Sequence, residues 1–76
     1  MPPASIPVSD ATDLGAAIRA ARKARDLRLE DVALAAGVGL RFLSELERGK
    51  ASVRLEETLR VLSALGLRLS LEDPRG

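Results

Sequence analysis

The sequence predicts an all-α bundle of four to five short helices, finished by a short C-terminal β-strand that pairs across a dimer. Three observations predict it. Apolar residues recur at helical spacing through most of the chain, and glycines at 37, 49 and 66 stand where the periodic stretches stop. One five-residue run, Leu67-Arg68-Leu69-Ser70-Leu71, alternates apolar and polar instead. At 76 residues and 46% apolar content, the chain has room for a single core.

The elements follow in order. Residues 1–9 carry prolines at 2, 3 and 7 and no periodicity, so they are expected to form an extended arm, with Ile6 and Val8 able to tuck onto the body. Ser9, Asp10 and Thr12 are competent N-caps for a first helix running to about Arg25. Its apolar stripe is Leu14, Ala17, Ile18, Ala21 and Ala24, and Leu27 closes the turn. From Leu27 to Lys50 the chain reads as two short helices joined by a tight elbow. Ala33 is the small residue where their backbones approach, Gly37 takes the left-handed conformation that ends the first, and Val38 plugs the corner. The second of the pair, roughly Leu40 to Arg48, turns Leu43 and Leu46 inward and Arg41, Ser44 and Glu45 outward.

After Gly49, a loop from Lys50 to Arg54 leads into a helix from about Leu55 to Ala64. Leu55, Leu59, Leu62 and Leu65 are expected to form its apolar face, with Thr58 and Val61 beside them and Gly66 as terminator. Residues 10–66 thus form the helical domain. The alternating run 67–71 would leave its backbone groups unpaired if isolated, so Leu67, Leu69 and Leu71 are expected to dimerise the protein through the same strand of a second copy. Pairing with Ile6 to Val8 is the rival, although Pro7 removes a donor there. Residues 72–76 are a polar tail.

Composition excludes several classes of function. With one aromatic residue, Phe42, the core is built from Leu, Val, Ile and Ala, and a lone chain of this size is marginally stable, a reason for association. Cysteine and histidine are absent, which removes disulfides, thiolate and imidazole metal sites, and nucleophile-histidine catalysis. The adjacent carboxylates Glu30-Asp31, Glu56-Glu57 and Glu72-Asp73 point about 100° apart on a helix, so they form no acid-base pair. There is no glycine-rich phosphate loop. No catalytic residue, metal or cofactor is therefore expected, and the protein is not expected to be an enzyme. No run is apolar enough to span a membrane, and a cytoplasmic location is expected.

The net charge of +1 conceals an uneven distribution. Arg19, Arg22, Lys23, Arg25 and Arg28 are opposed locally only by Asp26. A second basic set, Arg41, Arg48, Lys50 and Arg54, has Glu45 and Glu47 interspersed. Any one of these side chains can be an ordinary solvated charge, but their clustering around the paired helices points to phosphate.

The Leu27–Lys50 stretch resembles the helix-turn-helix of the phage-repressor/Cro-like (XRE) family, whose lambda-repressor-like fold offers its second helix to a DNA major groove. The run AGVGLRFLSELERGK, followed by VRLEETLRVLSALGLRLSL, is similar to the small HipB-like antitoxins that pair with HipA-type kinase toxins. The resemblance spans residues 14–71. Two positions depart from the pattern: Arg28-Leu29 stands where Thr-Gln or Ser-Gln is usual, and Gly39 stands where a serine usually caps the recognition helix.

The resemblance implies roles for individual residues. Leu40, Arg41, Ser44 and Glu45 would face base edges: Arg41 suits guanine, Glu45 suits cytosine, and Leu40, or Phe42 close by, suits a thymine methyl. Arg28, Gly39, Arg48 and Lys50 would meet phosphates. Glu47 sits near a helix C-terminus, where the dipole disfavours negative charge, and in the family an arginine at the position of Arg22 pairs with it. The implied partners are double-stranded DNA with an inverted-repeat operator, a second copy of the chain, and a HipA-like kinase toxin. The residues leave three readings open: an antitoxin that represses its own operon, a stand-alone XRE-type regulator, and a protein-interaction module on a helix-turn-helix scaffold.

Overall fold

Asp10 starts the first helix, because its carboxylate accepts from the backbone N–H of Asp13 at 2.8 Å, while Asp13 in turn accepts from the N–H of Ser9 at 3.1 Å. From there the computed structural model, which describes residues 5–76, runs through four helices: α1 (Ala11–Ala24), α2 (Leu29–Ala36), α3 (Leu40–Glu47) and α4 (Leu55–Ala64). All four end alike. The chain passes through the left-handed region at Asp26, Gly37, Gly49 and Gly66. The N–H of the following residue then bonds back across the last turn: Leu27 to Arg22 at 3.2 Å, Val38 to Ala33 at 3.0 Å, Lys50 to Glu45 at 3.0 Å and Leu67 to Leu62 at 2.8 Å. Asp26 is the one non-glycine among the four, a residue type that tolerates this conformation better than most.

Every helix contributes to one core. Ile18, Val32, Leu43, Leu46, Val61 and Leu65 are essentially inaccessible, and Ala21, Ala33, Ala36 and Leu62 fill the spaces between them. Pairwise, α1 lies on α3 and α2 lies on both α3 and α4. Leu27 and Val38 pack against this core from the two turns. Thr58 is the buried polar residue, and its hydroxyl donates to the Arg54 carbonyl at 2.7 Å, which removes the desolvation penalty of an unpaired hydroxyl.

Four expectations are revised. On α4 the buried face is Thr58, Val61, Leu62 and Leu65, whereas Leu55 and Leu59 are 67% and 40% exposed. The leucine spacing fits either face, and the packing of α4 on α2 selects the one centred on Val61. On α1, Ala24 is exposed and Gly15 is buried. Ile6 and Val8 remain largely exposed instead of tucking inward, while Met1 to Ala4, the start of the expected arm, lie outside the described residues. Finally, the single chain has no strand among the described residues, so the rival pairing of residues 67–71 with Ile6 to Val8 is absent and the strand expected across a dimer is not shown. Leu67 packs on the core, but Leu69 and Leu71 are 53% and 96% exposed.

Candidate nucleic-acid interface

The position of α3 is set by its contact with α1, where two glycines allow close approach. A Cβ on Gly15 would stand 2.7 Å from the carbonyl oxygen of Glu47, and one on Gly49 would stand 2.8 Å from the Cα of Thr12. Arg22 then locks the contact. Its Nε and Nη2 donate to the two carboxylate oxygens of Glu47 at 2.6 and 2.9 Å, and its Nη1 donates to the Leu27 carbonyl at 3.0 Å. The two side chains are only 12% and 6% exposed. The hydrogen bonds to Glu47 raise the pKa of Arg22 against the opposing effect of burial. Both oxygens of Glu47 thereby accept from Arg22, and the two charges offset each other.

This anchoring leaves the opposite face of α3 open. The Arg41 side chain is 91% exposed, and its Nε lies 3.9 Å from Glu45, one turn along the helix. Glu45 also faces Lys50, with Nζ at 3.3 Å, so the expected cytosine acceptor sits between two cations. Ser44 and Glu45 are half-buried and Leu40 is 47% exposed. Phe42 packs on the core and lines a groove with Arg41, Glu45, Lys50, Ser52, Val53, Arg54 and Glu57. Within that groove Arg54 is paired with Glu57 at 3.0 Å.

The residues expected at phosphates are spread around this face. Gly39 caps α3 in extended backbone, and a Cβ there would meet nothing within 4 Å, so the helix N-terminus is open to approach. Arg28 precedes α2, and its N–H donates to Asp31 at 2.8 Å while its guanidinium reaches the same carboxylate at 3.4 Å. That backbone hydrogen bond, with the guanidinium second, holds the Asp31 carboxyl below its ordinary pKa. Asp31 thus satisfies the backbone N–H of Arg28, the N-cap of α2, and the three-residue spacing from Arg28 to Asp31 was the available sequence signal. Arg48 is exposed, and among the described residues no carboxylate lies within ion-pair distance of it. Lys50 is held by Glu45. Arg19, which sequence reading placed in the basic cluster without assigning it a role, shares a second groove with Arg22, Leu29, Ser44, Glu47 and Arg48.

Residues 18–71 match the family model described as Helix-turn-helix. A Sinorhizobium fredii protein described as an HTH-type transcriptional regulator, y4mF, is 42% identical over 62 residues, covering 82% of each chain. An HTH-type transcriptional regulator of Mycobacterium tuberculosis, Rv0023, is 47% identical over 53 residues, which are 70% of this chain and 21% of that protein. Among solved structures, the HipB-O4 20mer complex and the HipA-HipB-O2-O3 complex each contain a chain that superposes with a TM-score of 0.82 at 20% identity, covering 90% of this chain and 96% of that one. No helix among the described residues is long and apolar enough to cross a membrane.

Proposed function

Because this chain belongs to the helix-turn-helix family and is a transcriptional regulator of the XRE type, we propose that it acts as a dimeric, operator-binding antitoxin that represses its own operon and docks a HipA-like kinase. The observation that carries the DNA role is the geometry of α3: anchored on one side by the buried Arg22–Glu47 pair, it presents Arg41 almost fully to solvent on the other. A helix held this way enters a major groove without reorganising. The antitoxin role is supported by the match in shape to HipB, as seen in the HipA-HipB-O2-O3 complex. The stand-alone regulator remains the second reading, favoured by the descriptions of the Sinorhizobium and Mycobacterium relatives.

In this function Arg41 reads guanine and Leu40 meets a thymine methyl, while Arg28, Gly39, Arg48 and Lys50 fix register on the phosphates. Two copies, joined through residues 67–71, prefer an inverted repeat with half-site centres about 34 Å apart. A binding titration across single-base variants of the chain's own promoter tests this. Arg41→Ala is expected to cost about 1–3 kcal/mol at one base pair, whereas Lys50→Ala weakens all sequences alike and lowers the salt slope by about one. Equal weakening of every variant by Arg41→Ala would make Arg41 a phosphate clamp and move selectivity to DNA shape. The partner is tested by co-purification with the product of an adjacent kinase-like gene: a stable complex supports the antitoxin, and its absence leaves the stand-alone regulator.

A further inference from the structure

We propose that Arg19 on α1 and Arg48 at the end of α3 together form a seat for one backbone phosphate of duplex DNA, in the groove that Leu29 and Ser44 also line. This rests on the DNA-binding reading and assigns to α1 a direct part in it. The two grooves beside α3 differ in their free charge. On one side Arg41, Lys50 and Arg54 all have carboxylate partners, Glu45 and Glu57, within 3.9 Å. An incoming phosphate there must displace a carboxylate from each cation. On the other side Arg22 and Glu47 cancel in a bidentate pair. Arg19 and Arg48 line the same groove as that pair, both exposed, with no carboxylate within ion-pair distance among the described residues.

The groove therefore carries two uncompensated positive charges beside a neutralised ion pair. Ser44, one turn before Arg48 on α3, adds a hydroxyl at the same edge. Leu29 brings no competing hydrogen-bonding group. Two guanidiniums and a hydroxyl converging on an open groove suit a phosphodiester, whose two free oxygens accept several donors at once. The seat is lined from α1, the start of α2 and the end of α3, so a phosphate held there would orient α3 without reading sequence.

The test uses the full chain and a duplex carrying its own promoter, titrated over a range of salt concentrations. The variants are Arg19→Gln, Arg48→Gln, the double variant, and Arg75→Gln in the tail as a control, with thermal melts to show that each is folded. Because the two arginines share one phosphate, the double variant is expected to lower the slope of log binding constant against log salt by about 0.9, and each single substitution to weaken binding at a fixed salt concentration, with the control unchanged. A methylphosphonate that neutralises the contacted phosphate is expected to weaken the wild type and to have little further effect on the double variant. A steep wild-type slope that the double variant keeps, or an Arg19→Gln variant that binds as tightly as the wild type, overturns the seat while the DNA-binding reading stands. Wild-type binding that is flat with salt overturns both.

Discussion

Where α1 meets the end of α3, the chain completes its own contacts: Gly15 and Gly49 let backbones approach, and Glu47 has both oxygens bonded by Arg22. Along the outer edge of α4 and through residues 67–71 it does not. Leu55, Leu59, Leu69 and Leu71 are exposed there, on a chain too small to leave apolar surface without cost to solubility. The first region fixes how α3 is presented to DNA, and its geometry depends on nothing outside the chain. The second is the region where association with another copy would bury what this one leaves open. A small regulator divides these tasks because its single core cannot satisfy both ends of the bundle.

The largest effect is expected at the completed end. Arg22→Ala strands a desolvated carboxylate on Glu47 and should cost about 3 kcal/mol in chemical denaturation, against under about 1 kcal/mol for an exposed pair such as Arg54–Glu57. Equal losses for Arg22→Ala and Arg54→Ala would mean that the contact is held by backbone packing alone. Gly15→Ala follows, at about 2 kcal/mol, because the added methyl meets backbone carbonyls of Leu46 and Glu47, which yield only if α3 moves. That displacement should also weaken DNA binding. A stability loss with unchanged affinity would separate the seating of α3 from its presentation.

At the open end the expected change is in assembly. Deleting the chain from Arg68 onward keeps Leu67 in the core, along with its N–H bond to the Leu62 carbonyl, while removing Leu69 and Leu71. Sedimentation should then show a folded monomer, against a dimer for the full chain on the assembly proposed above. A truncated chain that stays dimeric would move the interface to the exposed leucines of α4.

The contrast between the two ends also explains what was legible in the sequence. The bounds of α2, α3 and α4 could be read closely because each closes on a glycine in the left-handed region, a local signal. The elbow and the inward turn of Leu43 and Leu46 followed from spacing alone. Gly15 was missed because its role depends on a partner some thirty residues away; an isolated glycine within a helical pattern was the one hint. The face of α4 was misassigned because leucines at 55, 59, 62 and 65 and the set Thr58, Val61, Leu62 and Leu65 share two members, and periodicity cannot rank them. Of the candidate site, the residue types were legible, and so were the local pairs Arg41–Glu45 and Arg54–Glu57, four and three residues apart. That Arg19 and Arg48 share a groove depends on how α1 rests on α3 and was not legible.

The smallest expected effect is the most discriminating for α4. Leu55 and Leu62 are identical residues seven positions apart on one helix, yet Leu55 is 67% exposed and Leu62 is 6% exposed. Leu62→Ala opens a cavity against α2 and should cost about 3 kcal/mol. Leu55→Ala removes a side chain already in water and should change the stability of the truncated monomer by less than about 0.5 kcal/mol. The comparison must be made in the monomer, because in the full-length dimer a covered Leu55 would contribute to stability in a concentration-dependent way. Denaturation of Leu55→Ala at several protein concentrations, in both backgrounds, distinguishes the outcomes. A loss in the full chain that vanishes on truncation places Leu55 in the subunit interface beside residues 67–71. An equal loss in both backgrounds would put Leu55 back on the inner face that leucine spacing alone suggested.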